Sequence, residues 1–181
     1  DTAKWAAALE DIVYTAPGTP NADVATQNLL AHYSKQGPAA MGAFADKVLA
    51  KQPDSKMANY GKGHSLFMQE KYLDALNSFK KTIEVDPEFL EGYNMCGMSL
   101  YREAGNNYFQ KIEGKKVKTS AELQKAEETL VKSHYREAIG FFEKCRELAP
   151  EKPELWAGPL QTIYRNLGNQ AKAAELDVYN K

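Results

Sequence analysis

Residues Ser55 to Phe89 set a spacing to which the rest of the chain returns: Gly63, Leu66, Tyr72, Ala75, Phe79 and Pro87. Gly97 and Leu100 repeat Gly63 and Leu66 at an offset of 34. Tyr135, Ala138, Phe142 and Pro150 repeat Tyr72, Ala75, Phe79 and Pro87 at an offset of 63; taking 34 from 63 leaves 29 residues inserted within the third unit. Each element of the pattern has a physical task. Gly63 lets two helices approach closely, Leu66 and Phe79 fill the space between them, Ala75 is the small residue at the crossing, and Pro87 ends the second helix. A unit of this kind cannot bury its apolar face alone, so recurrence predicts stacked helix pairs sharing one continuous core.

These residues resemble the tetratricopeptide repeat, a helix–turn–helix unit of about 34 residues. The resemblance implies an all-α fold, a right-handed superhelical solenoid of antiparallel helix pairs, with the third pair extended by an inserted helical hairpin. It spans 21–181, strongest in 56–105 and 135–168. Departures are local: Thr82 stands where the family has Ala, and Asn59 where it has an early Trp.

The whole chain reads as one domain. Residues 1–20 are a leading helical cap, with Trp5, Ala8, Leu9, Ile12 and Val13 on one face and Pro17 and Pro20 as its stop. Residues 21–55 form a degenerate repeat carried by Val24, Leu29, Leu30 and Tyr33, then Met41, Phe44, Val48 and Leu49. Residues 56–89 are the best match, and 90–152 a repeat with its insertion at about 106–134. Within the insertion, Gly114 and the basic run Lys115, Lys116 and Lys118 mark the turn. Thr119 and Glu122 form a capping box that opens the return helix. Tyr108, Phe109 and Ile112 are placed to pack on Leu123, Ala126 and Leu130. Residues 153–181 close the stack, Trp156, Leu160, Tyr164, Gly168 and Ala173 or Ala174 keeping the family order with about one residue of slippage, before a last helix from Gln170 to Tyr179.

Composition restricts function further. The chain has 181 residues, and 23 basic against 24 acidic side chains give a net charge of -1, so no overall positive field attracts nucleic acid or an anionic membrane. No apolar run is long enough to span a bilayer, and membrane insertion is not expected. The chain begins at Asp1 without Met, which fits either a removed signal peptide or trimming. The insertion and this start are similar to exported bacterial repeat proteins, which implies the periplasm or cell envelope, with the cytoplasm as the alternative.

His32, His64 and His134 fall in three different units without metal-ligand spacing, and neither a phosphate loop nor a nucleophile elbow is present. No catalytic residue, metal or cofactor is therefore expected, and the chain is read as a non-enzyme. Cys96 and Cys145 occupy positions that can face each other across the third pair; two buried thiols are expected rather than a disulfide.

In the family it resembles, first helices line a concave groove that takes an extended peptide or a helix. That implies, position by position, a groove of Tyr60, His64, Phe67 and Met68, then Asn94, Met98, Tyr101 and Arg102, then Gln161, Tyr164 and Arg165. Aromatic and Arg side chains are the types that most often anchor an interface. The family's carboxylate clamp, built from Lys, Asn and Arg, is missing: its positions hold Tyr60, His64, Met95, Glu154 and Gly158. The expected function is binding of a protein or peptide segment, with self-association through the hairpin and the stack ends as the alternative.

Overall fold

The computed structural model describes residues 2–113 and 119–179, which contain helices and no strand. The chain divides into two compact units, one ending at Gly92 and the other starting at Tyr93.

The first unit is built from α1 (Thr2–Thr15), α2 (Pro20–Ser34), α3 (Pro38–Leu49), α4 (Lys56–Met68) and α5 (Tyr72–Val85), and holds the start of α6 (Leu90–Asn107). Their ends follow local chemistry. Thr19 and Ser55 cap α2 and α4 by accepting the amides of Ala22 and Ala58 at 3.2 and 3.3 Å, and Pro20 and Pro38 open α2 and α3 where no amide is needed. Val13, Leu29, Phe44, Val48 and Ala58 form one core across the first four helices. The α4–α5 pair is closed by Gly63: a Cβ there would lie 2.5 Å from the Phe79 ring, which is itself fully buried. Burying a side chain of that size stabilises the fold by roughly 1.5–3 kcal/mol.

Two sequence expectations for this unit need correction. Val24 is 56% exposed, because α2 packs through the smaller Ala22, Ala25 and Thr26 together with Leu29 and Leu30. On α1 only Val13 is buried. Trp5 and Ile12, expected on the same inward face, are exposed, and the Trp5 ring lies edge-on to His32 at 5.5 Å.

The second unit continues α6 into a π-helical segment, Tyr108–Glu113. The return runs through α7 (Ser120–Glu127), a second π-helical segment (Glu128–Lys132) and α8 (Ser133–Leu148). A short 3₁₀ turn (Pro153–Leu155), α9 (Ala157–Asn166), α10 (Gln170–Glu175) and a last 3₁₀ turn (Asp177–Tyr179) follow. Thr119 and Glu122 make the reciprocal capping box at the start of α7. Gly97 meets Phe142 as Gly63 meets Phe79: an added Cβ would lie 2.8 Å from the ring. Cys96 and Cys145 are thiols buried in this core, beside Leu100 and Phe142 in sequence position and burial.

The hairpin departs from the helical spacing read in the sequence. Ile112 is buried, but Phe109 is 66% exposed, and Tyr108 and Leu123 are exposed as well. For Tyr108 and Phe109 the cause is the π-helical winding from Tyr108 onward: a wider turn moves side chains off the positions that an α-helical period assigns. Buried Asn107 donates to the Leu130 carbonyl at 2.9 Å, tying the outgoing segment to the return where the winding changes. The expected turn residues Gly114, Lys115, Lys116 and Lys118 lie outside the described residues, as does Asp1. The last helix is shorter than expected: α10 ends at Glu175, and the chain tightens into a 3₁₀ turn over buried Leu176.

Candidate functional site

In the first unit, α2 and α4 come together closely at Gly61, where a Cβ would collide with the Leu30 side chain. Beside this contact the two helices, with Met41 of α3, line a hollow of about 360 Å³. Its walls include Leu30, Ala31, Met57, Tyr60, His64 and Met68. Gln27, Ser34, Tyr60 and His64 are its polar side chains, and among the described residues no carboxylate, ammonium or guanidinium lines it.

Tyr60 and His64 stand one helical turn apart on α4, so they share a face. Their rings meet at 4.5 Å in an edge arrangement, and both reach the Phe79 ring, at 5.7 and 5.5 Å. Tyr60 also meets Phe89 at 5.2 Å. Burial pushes the Tyr60 hydroxyl up to about 12, with nearby Glu91 adding to the shift. Burial likewise lowers the pKa of His64, so the imidazole is held neutral. Phe67 lies farther along the helix, edge-on to Tyr72 at 5.2 Å. A larger, more polar hollow of about 480 Å³ lies between Leu49, Asn59, Lys62, Asp74 and Lys81. Asn59 there already donates to the Pro53 and Ser55 carbonyls, at 2.9 and 3.0 Å, so that wall serves the fold.

The second unit treats its expected contact residues differently. Asn94 donates to the Leu155 carbonyl at 2.6 Å, Met98 is partly buried, and the Tyr101 ring lies 5.9 Å from that of Tyr135. Arg102 is exposed. Gln161 and Tyr164 lie in the interior, 8% and 5% exposed, and cannot serve there as open contact surface. Gln161 donates to the Ala173 carbonyl at 3.3 Å and to the Asp177 carboxylate at 2.5 Å. The Tyr164 hydroxyl donates to Glu143 at 3.0 Å; its pKa is pushed up to about 12 by burial first and by that bond second. Arg165 is exposed and pairs with Asp177 at 3.3 Å.

Sequence reasoning missed Leu30, Ala31 and Met57 as walls of the hollow. The available signal is the helical spacing of Leu30 and Ser34 on α2, in the weakly matching repeat, where the sequence assigns Leu30 to the apolar face and gives Ala31 and Met57 no role. Among the described residues, no group of three His, Cys, Asp or Glu side chains could hold a metal ion, and no helix is long and apolar enough to cross a membrane.

No protein-family model and no curated protein sequence matches the chain. Among solved structures it is similar to MamA, a helical solenoid of the tetratricopeptide type. A structure of MamA from MSR-1 is 17% identical, with 99% of this chain and 88% of that one covered and a TM-score of 0.59. A MamA point mutant is 18% identical over 96% of this chain and 83% of its own, and MamA from AMB-1 is 17% identical over 96% and 84%, both with a TM-score of 0.59. At this identity the likeness is one of fold, and the fold of this chain is that of a tetratricopeptide-type helical-repeat protein.

Proposed function

We propose that the chain is a non-catalytic scaffold that binds a peptide or protein segment on the open faces of its first helices. In the first unit the contact surface is Tyr60, His64, Phe67 and Met68 on α4. In the second it is Asn94, Met98, Tyr101 and Arg102 on α6, with Arg165 on α9. The observation that carries this reading is the hollow between α2 and α4. A stacked helical core has no structural need for an apolar depression of about 360 Å³ open to solvent, whereas side chains of a bound segment fill such a space. Affinity capture with wild type beside a Tyr101→Ala, Arg102→Ala chain and a Tyr60→Ala, Met68→Ala chain tests it. Partners held by wild type should be lost from at least one variant that still folds; undiminished capture by both would overturn the reading.

A second reading, self-association through the inserted hairpin, draws support from exposed Tyr108 and Phe109. It predicts that Phe109→Ser changes the solution mass measured by light scattering, and an unchanged mass would remove it.

A further inference from the structure

The apolar hollow does not end at Tyr60. Gln27, Met57 and Tyr60 form a wall it shares with a second hollow of about 310 Å³, in the same unit, lined also by Asp23, Lys56 and Glu91. The two differ in chemistry. Three Met side chains, Met41, Met57 and Met68, give the first a polarizable, adaptable lining without a charged wall. The second is electrostatically lopsided. Among the described residues Lys56 is the only cation lining it, and that ammonium is engaged by Asp86 at 2.9 Å and Asp23 at 3.8 Å while lying 5.3 Å from the centre of the Phe89 ring. Two carboxylates, Asp23 and Glu91, line the hollow with this one ammonium, and Asp86, outside the lining, already holds the ammonium, so the lining is left with a surplus of negative charge.

An occupant that fits both hollows has an uncharged apolar side chain for the first and a positive charge for the second. An acidic occupant would meet the surplus carboxylates, where like charges at close range cost affinity. Exposed Val24 extends the apolar rim beside the second hollow and offers a surface for the methylene stem of a Lys or Arg whose head reaches Asp23 and Glu91.

Resting on the interaction reading above, we propose that the first unit recognises a basic–apolar peptide segment. A Leu, Met, Ile or Phe side chain is seated between α2 and α4, and a neighbouring Lys or Arg is held by Asp23 and Glu91 across the Met57–Tyr60 wall. Specificity in this unit thus runs opposite to that of a site built for acidic tails.

The test is selection of a random peptide library displayed on phage against the full chain. Enriched peptides should carry an apolar residue close to Lys or Arg and be depleted of Asp and Glu. They should lose about tenfold or more in affinity for an Ala31→Trp chain, in which an exposed lining residue is enlarged to fill the hollow, and about tenfold for Glu91→Lys. Gln27→Trp, on the shared wall, replaces Ala31→Trp if that variant's thermal melt shows it unfolded. Enrichment of acidic or purely apolar peptides overturns the proposal, as do basic–apolar peptides that bind both variants like wild type. If such peptides nevertheless lose binding to the Tyr101→Ala, Arg102→Ala chain, the general interaction reading survives; if no peptide is enriched, both fall.

Discussion

The α4–α5 pair and the α9–α10 pair place equivalent residues the same distance apart in sequence, and they are closed by opposite chemistry. In the first, Gly63 receives the ring of Phe79, 16 residues on (79 − 63 = 16). In the last, the same two places hold Gln161 and Asp177 (177 − 161 = 16), joined by a hydrogen bond instead of an apolar contact. The pair of α6 and α8 keeps the apolar solution, with Gly97 against Phe142, although 45 residues separate them (142 − 97 = 45). The repeat spacing therefore preserves a position of close approach without dictating what closes it. Shape complementarity does so twice, and a satisfied polar pair does so at the end of the chain.

The largest test of this comparison is Phe79→Ala beside Phe142→Ala. Both rings are fully buried, so each substitution should cost about 3–5 kcal/mol in denaturant unfolding. A much smaller loss for Phe142 would mean that the insertion loosens its pair. Next come Gly63→Ala and Gly97→Ala, where the new methyl enters a packed ring and should cost about 1–3 kcal/mol. Gly140→Ala is the internal control: nothing lies within 4 Å of an added Cβ, and this helical site should gain up to about 1 kcal/mol. Asp177→Ala leaves the buried Gln161 amide with one acceptor fewer and should cost about 1–3 kcal/mol, with hydrogen exchange rising in α9 and α10 first.

The smallest expected effect is on pH. His64 has no counterpart in the α6–α8 pair, where position 98 is Met. Its folded pKa lies below the unfolded value of about 6.5, so the unfolded chain binds the extra proton first. The stability it contributes is present above about pH 6.5 and is lost as pH falls from there through the folded pKa. Exchange protection of α4 should therefore decline between neutral pH and pH 5 more than that of α6, and His64→Phe should remove the difference.

Much of the fold was legible because it rests on steric features that survive in a residue alphabet. Glycine at close approach, an aromatic opposite it and proline at a helix end locate Gly63 with Phe79 and Gly97 with Phe142, even across the insertion. The capping box at Thr119 was legible for a similar reason, its two hydrogen bonds requiring those side-chain types at that spacing. The candidate site was less so. Gln161 and Tyr164 read as groove residues because their register slips by about one residue in the last repeat, and one residue on a helix turns a side chain by about 100°. Phe109 read as core because sequence spacing assumes an α-helical period that the π-helical segment does not keep. The hollow itself is lined from three helices, α2, α3 and α4, an arrangement that no single residue announces.

The 45-residue separation of Gly97 and Phe142 also has a temporal side. During synthesis Gly63 can meet Phe79 as soon as 16 further residues have emerged, whereas Gly97 must wait for 45. At about 5–20 residues per second, the 29 additional residues delay that contact by roughly 1.5–6 s. Closing the longer loop from a disordered chain costs about 0.9 kcal/mol more than closing the shorter one, unless the hairpin has already drawn its ends together. The nascent chain thus presents a completed α4–α5 pair, and the Met-lined hollow between α2 and α4, while α6 still has an unpaired apolar face, and early formation of the inserted hairpin shortens that exposed interval.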